Sequence, residues 1–332
     1  MRCTVLGAGS WGTALAMQLA RLGHDTVIWD RNPDRCAHIN THHTNPRYLT
    51  DVSLPVNLRA QFDLRAATAH AELLVPVLPS HALRGVMQGA AGSVASDAWI
   101  CCASKGIEDG SLMTMHEVLV ETLHPEHHGR VSMLYGPSFA REVAQGLPTA
   151  VVCAGPLGAA EVGAEAFHGD NFRAYTTEDL VGVCIGGSLK NVMAIACGVS
   201  DGVGLGSNAR AALITRGLAE ISRLAVTLGA NPLTMMGLAG MGDLVLTCTG
   251  NLSRNRRVGL ALGEGRSLED ILTELGEVAE GVITAKSAQA LARRVGVEMP
   301  ITEQIYRMLY EDLPVRTAMA LLLSRERKAE RD

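Results

Sequence analysis

The chain has 332 residues, a length that predicts two domains. Its composition, 47% hydrophobic and 19% charged, is typical of a globular protein with a sizeable core. The formal net charge is −5 and no long run of like charge occurs, which disfavours nucleic acid or an anionic membrane as the main partner.

The eight cysteines are scattered and form no CxxC pair. This usage predicts thiols in a reducing, cytoplasmic compartment, without a disulfide framework or zinc site. We see no signal peptide at the N-terminus. Residues 180–200 carry one charge, Lys190, and several glycines, so we expect a buried helix there and no membrane span.

Short β-rich runs alternate with helical patterns over the first 175 or so residues, which predicts a parallel sheet covered by helices. A helix is predicted over Ser10–Leu22. Residues 31–68 have no clear secondary-structure pattern, apart from a helix that could begin at Pro33. Pro76 lies inside a predicted strand and cannot donate a hydrogen bond, so we expect an edge strand or a bulge there. The predicted strands are Arg2–Leu6, Thr26–Trp29, Leu73–Leu78, Trp99–Ala103, Val131–Tyr135 and Thr149–Ala154.

From about residue 178 the pattern is helical throughout. We therefore expect an N-terminal domain of residues 1–177 and an all-helical C-terminal domain of residues 178–332, with a short boundary near Thr176–Asp179. The predicted helices are 180–199, 208–228, 268–275, 284–295, 302–311 and 315–327.

A glycine motif, Gly7-x-Gly9-x-x-Gly12, follows the first predicted strand and opens the first helix. In that context it is typical of a Rossmann-like dinucleotide-binding domain. Gly7 permits the tight turn, Gly9 lets the backbone approach the pyrophosphate, and Gly12 lets helix and strand pack closely. The alternative is a glycine turn without a ligand.

An acid, Asp30, ends the second predicted strand. An acid at this position binds the adenosine ribose hydroxyls and favours NAD, whereas the adjacent Arg31 could pair with the 2′-phosphate of NADP. The choice between the two cofactors stays open, and an exposed charged pair in a turn is the alternative. Three later turns, Pro79-Ser80-His81, Ser104-Lys105-Gly106 and Gly136-Pro137-Ser138, are predicted to line one crevice with the glycine motif, because ligands bind outside the carboxyl ends of such strands.

Lys190 is the one charge in the apolar stretch Val183–Ala196, with Gly186 and Gly187 on the same helical face. We expect these small residues to leave room for a ligand against the helix. A lysine in an apolar site has a lowered pKa, which suits it to proton transfer. The alternative is a lysine that reaches solvent.

The cationic segment Ser253-Arg254-Asn255-Arg256-Arg257 suits a phosphate, since arginine binds phosphate bidentately and Ser and Asn add donors. Arg256 and Arg257 could instead form a solvated helix face. Asp243 follows two glycines and could cap a helix or orient a catalytic lysine. The histidines at 38, 42, 43, 124, 127 and 128 lack acid or cysteine partners at suitable spacing, so we expect surface histidines and no metal site.

Along nearly its whole length the chain resembles the bacterial NAD(P)-dependent glycerol-3-phosphate dehydrogenases. The motifs that carry the resemblance are Gly7-Ala8-Gly9-Ser10-Trp11-Gly12-Thr13-Ala14-Leu15-Ala16, Ser104-Lys105-Gly106, Gly136-Pro137-Ser138-Phe139-Ala140, Lys190-Asn191-Val192, Ser200-Asp201-Gly202, Asn208-Ala209-Arg210, Gly242-Asp243-Leu244, Thr247-Cys248-Thr249, Ser253-Arg254-Asn255-Arg256 and Gly296-Val297-Glu298-Met299-Pro300-Ile301.

The resemblance implies a Rossmann domain joined to a helical substrate-binding domain, and reduction of dihydroxyacetone phosphate to sn-glycerol 3-phosphate with NAD(P)H for phospholipid synthesis. A homodimer is a family expectation. Lys190 would be the proton donor and acceptor, and Lys105 would contact substrate and cofactor. The other implied substrate residues are Gly136, Ser138, Asp243, Ser253, Arg254 and Asn255. The implied cofactor residues are Ser10, Trp11, Arg31, Ala140, Arg254, Val278 and Glu280, beside the motif glycines and Asp30.

Two alternatives share parts of this pattern. A β-hydroxyacid or ketopantoate-type dehydrogenase has the same two-domain plan, but the predicted phosphate segment disfavours it. A non-catalytic module that senses redox state by binding NAD(H) would not need a lysine in an otherwise uncharged helix.

Overall fold

A computed structural model describes residues 1–276, 278–326 and 329. Within these residues, eight strands form one sheet in the order β3-β2-β1-β4-β5-β6-β7-β8. The central strands β1 and β4 are buried almost throughout, as expected where helices cover both faces of a sheet. The strands are β1 (Arg2–Leu6), β2 (Asp25–Trp29), β3 (Leu58–Gln61), β4 (Leu73–Pro76), β5 (Trp99–Cys102), β6 (Val131–Tyr135), β7 (Thr149–Ala154) and β8 (Phe172–Thr177).

The helices fall into two sets along the chain. Those of the sheet-containing part are α1 (Ser10–Arg21), α2 (Pro33–His42), α3 (Leu64–Ala69), α4 (Ser80–Ala90), α5 (Met115–Thr122), α6 (Ala140–Ala144) and α7 (Leu157–Phe167). Those of the second part are α8 (Leu180–Gly202), α9 (Gly206–Thr227), α10 (Asp243–Thr249), α11 (Arg254–Gly263), α12 (Leu268–Leu275), α13 (Glu280–Val295), α14 (Pro300–Tyr310) and α15 (Val315–Leu323).

The predicted α/β fold with a helical second part is confirmed, but the sheet is not parallel throughout. Neighbouring strands from β3 to β6 run parallel, whereas β7 is antiparallel to β6 and β8 follows the direction of β7. Strand direction leaves no mark on local sequence, and the connection 136–148 is near the minimum length of a parallel crossover. The sequence pattern also misses the edge strands β3 and β8, because exposed residues interrupt their apolar pattern.

Pro76 ends β4, which lies between β1 and β5, so the predicted edge position is wrong. The Leu6 carbonyl accepts a hydrogen bond from Val77 N at 2.8 Å, while Glu72 N donates to Arg2 O. From Cys3–Leu73 to Leu6–Pro76 the two strands pair one residue to one residue, so the predicted bulge is wrong as well. The central strand tolerates the proline because Pro76 is its last residue and the pairing of β4 with β5 already ends at Leu74–Ile100.

Helix α8 is the central element of the helical part and is almost entirely buried. It crosses α11 closely at Gly198 and Gly259, where a Cβ would lie 2.1 Å from the carbonyl oxygens of Arg256 and Ile195. Only glycine therefore permits this crossing. Among the described residues, α8 is also the one helix long and apolar enough to cross a membrane, but 89% of its most apolar 18 residues are buried inside the protein.

Glu220 is a buried acid on α9. Its carboxylate accepts hydrogen bonds from the backbone N–H groups of Ile301 (2.6 Å) and Thr302 (3.2 Å) in the first turn of α14. A helix N-terminus stabilises negative charge. Burial nevertheless outweighs these bonds and raises the pKa of Glu220 to about 7.

Glu220 should make the stability of the chain depend on pH. An acid whose pKa is raised on folding stabilises the fold below its usual value of 4.5, and that contribution is lost as pH rises through about 7. The free energy of unfolding should therefore fall across this window, relative to that of Glu220→Gln, by about 3 kcal/mol. Chemical denaturation of both proteins from about pH 5 to about pH 8 measures the difference. The same pH dependence in both proteins would contradict the assignment.

Candidate functional site

The glycine motif forms the turn between β1 and α1, and each glycine has a different steric environment. Gly7 has a φ of 116°, and a Cβ there would lie 2.5 Å from the Val77 carbonyl oxygen. A Cβ on Gly12 would lie 1.9 Å from the Gly7 carbonyl oxygen, so helix and strand are in contact. Gly9 faces open space, with nothing described within 4 Å of its Cβ position. The three environments match the three roles expected from the sequence.

The N-terminus of α1 fits the pyrophosphate of a dinucleotide. No described side chain caps this end, and no acid lies in its first turn within the described chain. The first backbone N–H groups can therefore bind an anion, which the helix dipole also favours. Trp11 Nε1 is a buried donor with no hydrogen-bond partner among the described residues. Ser10, Trp11 and the space beside Gly9 would hold the cofactor here.

Asp30 is buried at the carboxyl end of β2, so the alternative of an exposed charged pair with Arg31 is wrong for Asp30. Its carboxylate accepts from Asn32 N at 2.8 Å and from Arg35 Nη1 at 2.5 Å. Arg31 is exposed. The sequence does not reveal the Arg35 pairing, because that contact depends on how the chain turns from β2 into α2.

The structure brings the turns after β4, β5 and β6 together. Ser104 Oγ accepts from Leu78 N at 2.8 Å, which joins the first two turns. Lys105 Nζ lies 3.4 Å from the Gly136 carbonyl oxygen, to which Ser138 Oγ also donates at 3.1 Å. The predicted residues of these turns therefore form one continuous surface beside the glycine motif.

Two lysines from distant parts of the chain share one buried carboxylate. Asp243 is the first residue of α10, and its Oδ2 accepts from Lys105 Nζ at 2.7 Å. Its Oδ1 accepts from Lys190 Nζ, in the middle of α8. Of the two roles expected for Asp243, the side chain therefore orients a lysine, and it does not cap the helix.

Burial and neighbouring charges set the ionisation of this cluster. Burial lowers the pKa of Lys190 to about 8, with Lys105 lowering it further and Asp243 opposing the shift. Burial would raise the pKa of Asp243, but the two lysines outweigh it and hold that pKa below its usual range. The predicted lowering for Lys190 is confirmed, and the alternative of a solvent-reaching lysine is wrong, since its side chain is 11% exposed.

The glycines before Lys190 do not leave room for a ligand, contrary to expectation. A Cβ on Gly186 would lie 2.9 Å from the Ala239 carbonyl oxygen, and one on Gly187 would lie 2.4 Å from the Tyr135 ring. Protein therefore fills this space. Both contacts come from segments far away in the sequence, so the glycine spacing alone could not show what lies there.

The segment 253–257 opens α11, and two of its residues hold it in place. Ser253 is the N-cap, and its Oγ accepts from Arg256 N at 3.2 Å. Asn255 is buried, donates from Nδ2 to Asn191 Oδ1 at 2.9 Å, and accepts from Gly281 N at 2.9 Å. One donor and one acceptor of its side-chain amide therefore link α11 to α8 and α13.

The Arg256 side chain is largely buried and forms an ion pair, so it neither faces solvent nor is available to bind a phosphate. Its Nη2 lies 2.6 Å from Asp201 Oδ2, and Asp201 also pairs with Arg210 at 3.0 Å. These ion pairs fix α11 against α8 and α9. Arg257 is exposed, as expected for a solvated helix face. The physical analysis of single residues did not predict a role for Asp201, although Asp201 belongs to Ser200-Asp201-Gly202, one of the motifs that carry the family resemblance.

Glu280 links the helical part to the turn after β4. Its carboxylate accepts from Ser80 N at 3.1 Å and from Ser80 Oγ at 2.7 Å. Burial raises the pKa of Glu280, while Ser80 and the nearby positive charge of Arg254 oppose the shift. Glu280 and Ser80 are therefore in direct contact, and Arg254 lies close enough for its charge to act on the carboxylate. Of the other predicted cofactor residues, Val278 is exposed just before α13 and Ala140 is the first residue of α6.

Elsewhere in the described part of the chain, the side chains that bind metals do not form a cluster. Within residues 1–276, 278–326 and 329, no group of three or more His, Cys, Asp or Glu side chains could hold a metal ion. The expectation of surface histidines is wrong for His127, which is buried in the turn 125–130.

A cavity of about 1140 Å³ lies among α9, α14 and α15, away from every predicted site residue.

A sheet whose first helix begins at a glycine turn without a described side-chain cap, joined through a lysine–aspartate–lysine cluster to a helical part, is typical of a dinucleotide-dependent oxidoreductase. The family profile described as NAD-dependent glycerol-3-phosphate dehydrogenase N-terminus matches residues 2–160, and the corresponding C-terminus profile matches residues 179–320. The chain belongs to the NAD-dependent glycerol-3-phosphate dehydrogenase family.

Individual relatives agree with this membership. The chain is 54% identical over 331 residues to glycerol-3-phosphate dehydrogenase (NAD(P)+) of Anaeromyxobacter dehalogenans strain 2CP-C, covering 99% of this chain and 100% of the relative. A crystal structure of glycerol-3-phosphate dehydrogenase from Coxiella burnetii matches with a TM-score of 0.92 at 43% identity, over 98% of this chain and 99% of that one. A ketopantoate reductase from Ralstonia eutropha JMP134 shares only the fold, with a TM-score of 0.57 at 14% identity over 96% of this chain and 100% of that one.

Two substitutions separate the binding and folding roles of the glycine motif. Gly9→Ala puts a methyl group into open space at a φ of −71°, so it should keep the thermal midpoint but weaken NADH binding by on the order of tenfold. Gly12→Ala drives a methyl group into the Gly7 carbonyl and should destabilise the fold by about 1–3 kcal/mol. Thermal unfolding and NADH fluorescence titrations measure both effects. Equal destabilisation by the two variants would refute this division of roles.

Proposed function

We propose that the chain catalyses NAD(P)H-dependent reduction of dihydroxyacetone phosphate to sn-glycerol 3-phosphate. The observation that carries the proposal is the buried Lys105–Asp243–Lys190 cluster, which lies beside the turns that fit a dinucleotide. The names of full-length relatives such as that of Anaeromyxobacter dehalogenans support this choice of substrate.

Lys190 would supply the proton of the reaction. The bound nicotinamide supplies the hydride for the carbonyl carbon. With a pKa of about 8, Lys190 is mostly protonated at neutral pH and can pass its proton to the substrate oxygen as negative charge develops there. Asp243 would hold both lysines in place, and the charge of Lys105 would further stabilise that oxygen.

The start of α11 would bind the substrate phosphate. A helix N-terminus favours an anion, and Ser253 and Arg254 lie at this one. Because Asn255 is tied to Asn191 and Gly281, we propose that it mainly positions this segment. Anchoring the phosphate here would orient the reacting carbon. The proposed substrate site is completed by Gly136 and Ser138, beside Lys105.

The two parts of the chain would divide the binding work, with residues 1–177 binding the dinucleotide and residues 178–332 contributing most of the substrate site. The end of β8 at Thr177 and the start of α8 at Leu180 support this boundary. The proposed cofactor residues are Gly7, Gly9, Ser10, Trp11, Gly12, Asp30, Arg31, Lys105, Ala140, Arg254, Val278 and Glu280.

We further propose that the chain is a cytoplasmic homodimer that supplies sn-glycerol 3-phosphate to phospholipid synthesis. All eight cysteines are buried and free, which is compatible with a reducing compartment. The dimer and the biosynthetic role rest on the family resemblance.

Replacing Lys190 tests its catalytic role. Lys190→Met keeps an unbranched side chain but removes the proton, so turnover of dihydroxyacetone phosphate should fall by about two or more orders of magnitude. NADPH binding, followed by fluorescence, should change by no more than about threefold, because Lys190 contacts Asp243 and not the glycine turn. Lys286→Met is the matched control, since this exposed lysine pairs only with Asp109 among its described ion-pair partners. Near-normal turnover in Lys190→Met would remove Lys190 from the mechanism.

The same assay, run with NADH and NADPH, discriminates the alternatives. A higher kcat/KM for unphosphorylated ketopantoate than for dihydroxyacetone phosphate would place the chain with the ketopantoate-type enzymes. Tight NADH binding without turnover of either substrate would favour the redox-sensing module.

A further inference from the structure

Arg35 is not among the residues expected to contact a ligand, but Asp30, with which it forms an ion pair, is one of the predicted cofactor residues. It is the third residue of α2, and its backbone N–H donates to Asn32 Oδ1 at 2.9 Å. Its side chain is 16% exposed, and Nη1 lies 2.5 Å from Asp30 Oδ2. The guanidinium also lies 5.6 Å from the centroid of the Tyr48 ring. These contacts hold Arg35 against the Asp30 carboxylate.

The position of Asp30 makes this pairing relevant to the cofactor. Asp30 follows β2, next to β1 and the glycine turn, where the adenosine ribose of a dinucleotide binds in this type of sheet. A carboxylate with free oxygens accepts the ribose hydroxyls and repels a 2′-phosphate. Here one oxygen accepts from Asn32 N and the other from Arg35, so the negative charge of Asp30 is balanced.

The remaining charges around this turn are mostly positive. Arg31 is exposed beside Asp30, and the Arg47 guanidinium lies 5.4 Å from the Tyr48 ring centroid. Asp34, exposed in the first turn of α2, is the nearest other acid in the sequence. A 2′-phosphate at this turn would therefore meet Arg31 and a neutralised Asp30.

We infer that Arg35 determines cofactor specificity, by neutralising Asp30 and so admitting the 2′-phosphate of NADP(H) to a turn that would otherwise select NAD(H). Arg35 is a positioning residue in this scheme, because it acts through Asp30. Arg31 is the cation that contacts the phosphate directly.

Cofactor binding in the absence of substrate tests this inference, so the result does not depend on which substrate the enzyme reduces. In Arg35→Met the affinity for NADPH should fall by on the order of tenfold, while the affinity for NADH stays within about threefold. Arg35→Lys keeps the charge and should retain most NADPH binding. Arg59→Met is the matched control, since Arg59 pairs with Asp25 at the opposite end of β2, and it should alter neither affinity.

A double variant decides whether Arg35 acts through Asp30. Asp30→Asn combined with Arg35→Met leaves no unpaired carboxylate, so NADPH affinity should recover towards that of the unmodified chain. NADPH binding as weak as in Arg35→Met alone would show that Arg35 acts on the phosphate itself and would overturn the inference. Equal loss of NADH and NADPH binding in Arg35→Met would also overturn it, because a purely structural role affects both cofactors.

Discussion

A single buried carboxylate, that of Asp243, joins the two parts of the molecule and sets the charge at the proposed reaction centre. Lys105 reaches it from the end of β5, and Lys190 reaches it from α8. Two lysines and one carboxylate in a site with little solvent are costly unless each charge has a close partner. The cost is limited here because both carboxylate oxygens are paired, and what remains of it is seen in the pKa of Lys190, which is lowered to about 8.

Much of the surrounding structure keeps these three residues in place. Gly187 lets the Tyr135 ring pack against α8, and that ring lies 5.1 Å from Lys105 Nζ. Gly198 and its partner glycine on α11 bring the predicted phosphate segment against the same helix. The Asp201–Arg256 ion pair then fixes that segment. The glycines of α8 thus serve protein packing, and the shape of the site follows from how closely its neighbours approach.

Features that depend on local sequence could be predicted, whereas those that depend on distant contacts could not. The glycine turn, most strands and helix α8 follow from short-range spacing and hydrophobic pattern. The reversal of β7 and the partner of Arg256 are set by segments far apart in the chain. Asn255 could be predicted as a site residue from the resemblance, but its bonds to α8 and α13 could not. The Arg35–Asp30 ion pair could not be predicted either, although the two residues are only five positions apart. Their charges alone do not show which of the nearby side chains the fold of the turn brings together.

The pH dependence of kcat/KM for dihydroxyacetone phosphate, in the unmodified chain and in Asp243→Asn, tests most directly whether Asp243 controls Lys190. In the unmodified chain, reduction should decline as pH rises through about 8, because Lys190 loses its proton. The negative charge of Asp243 raises the pKa of Lys190, so its removal should move this decline to lower pH. A decline at the same or higher pH in Asp243→Asn would contradict the account.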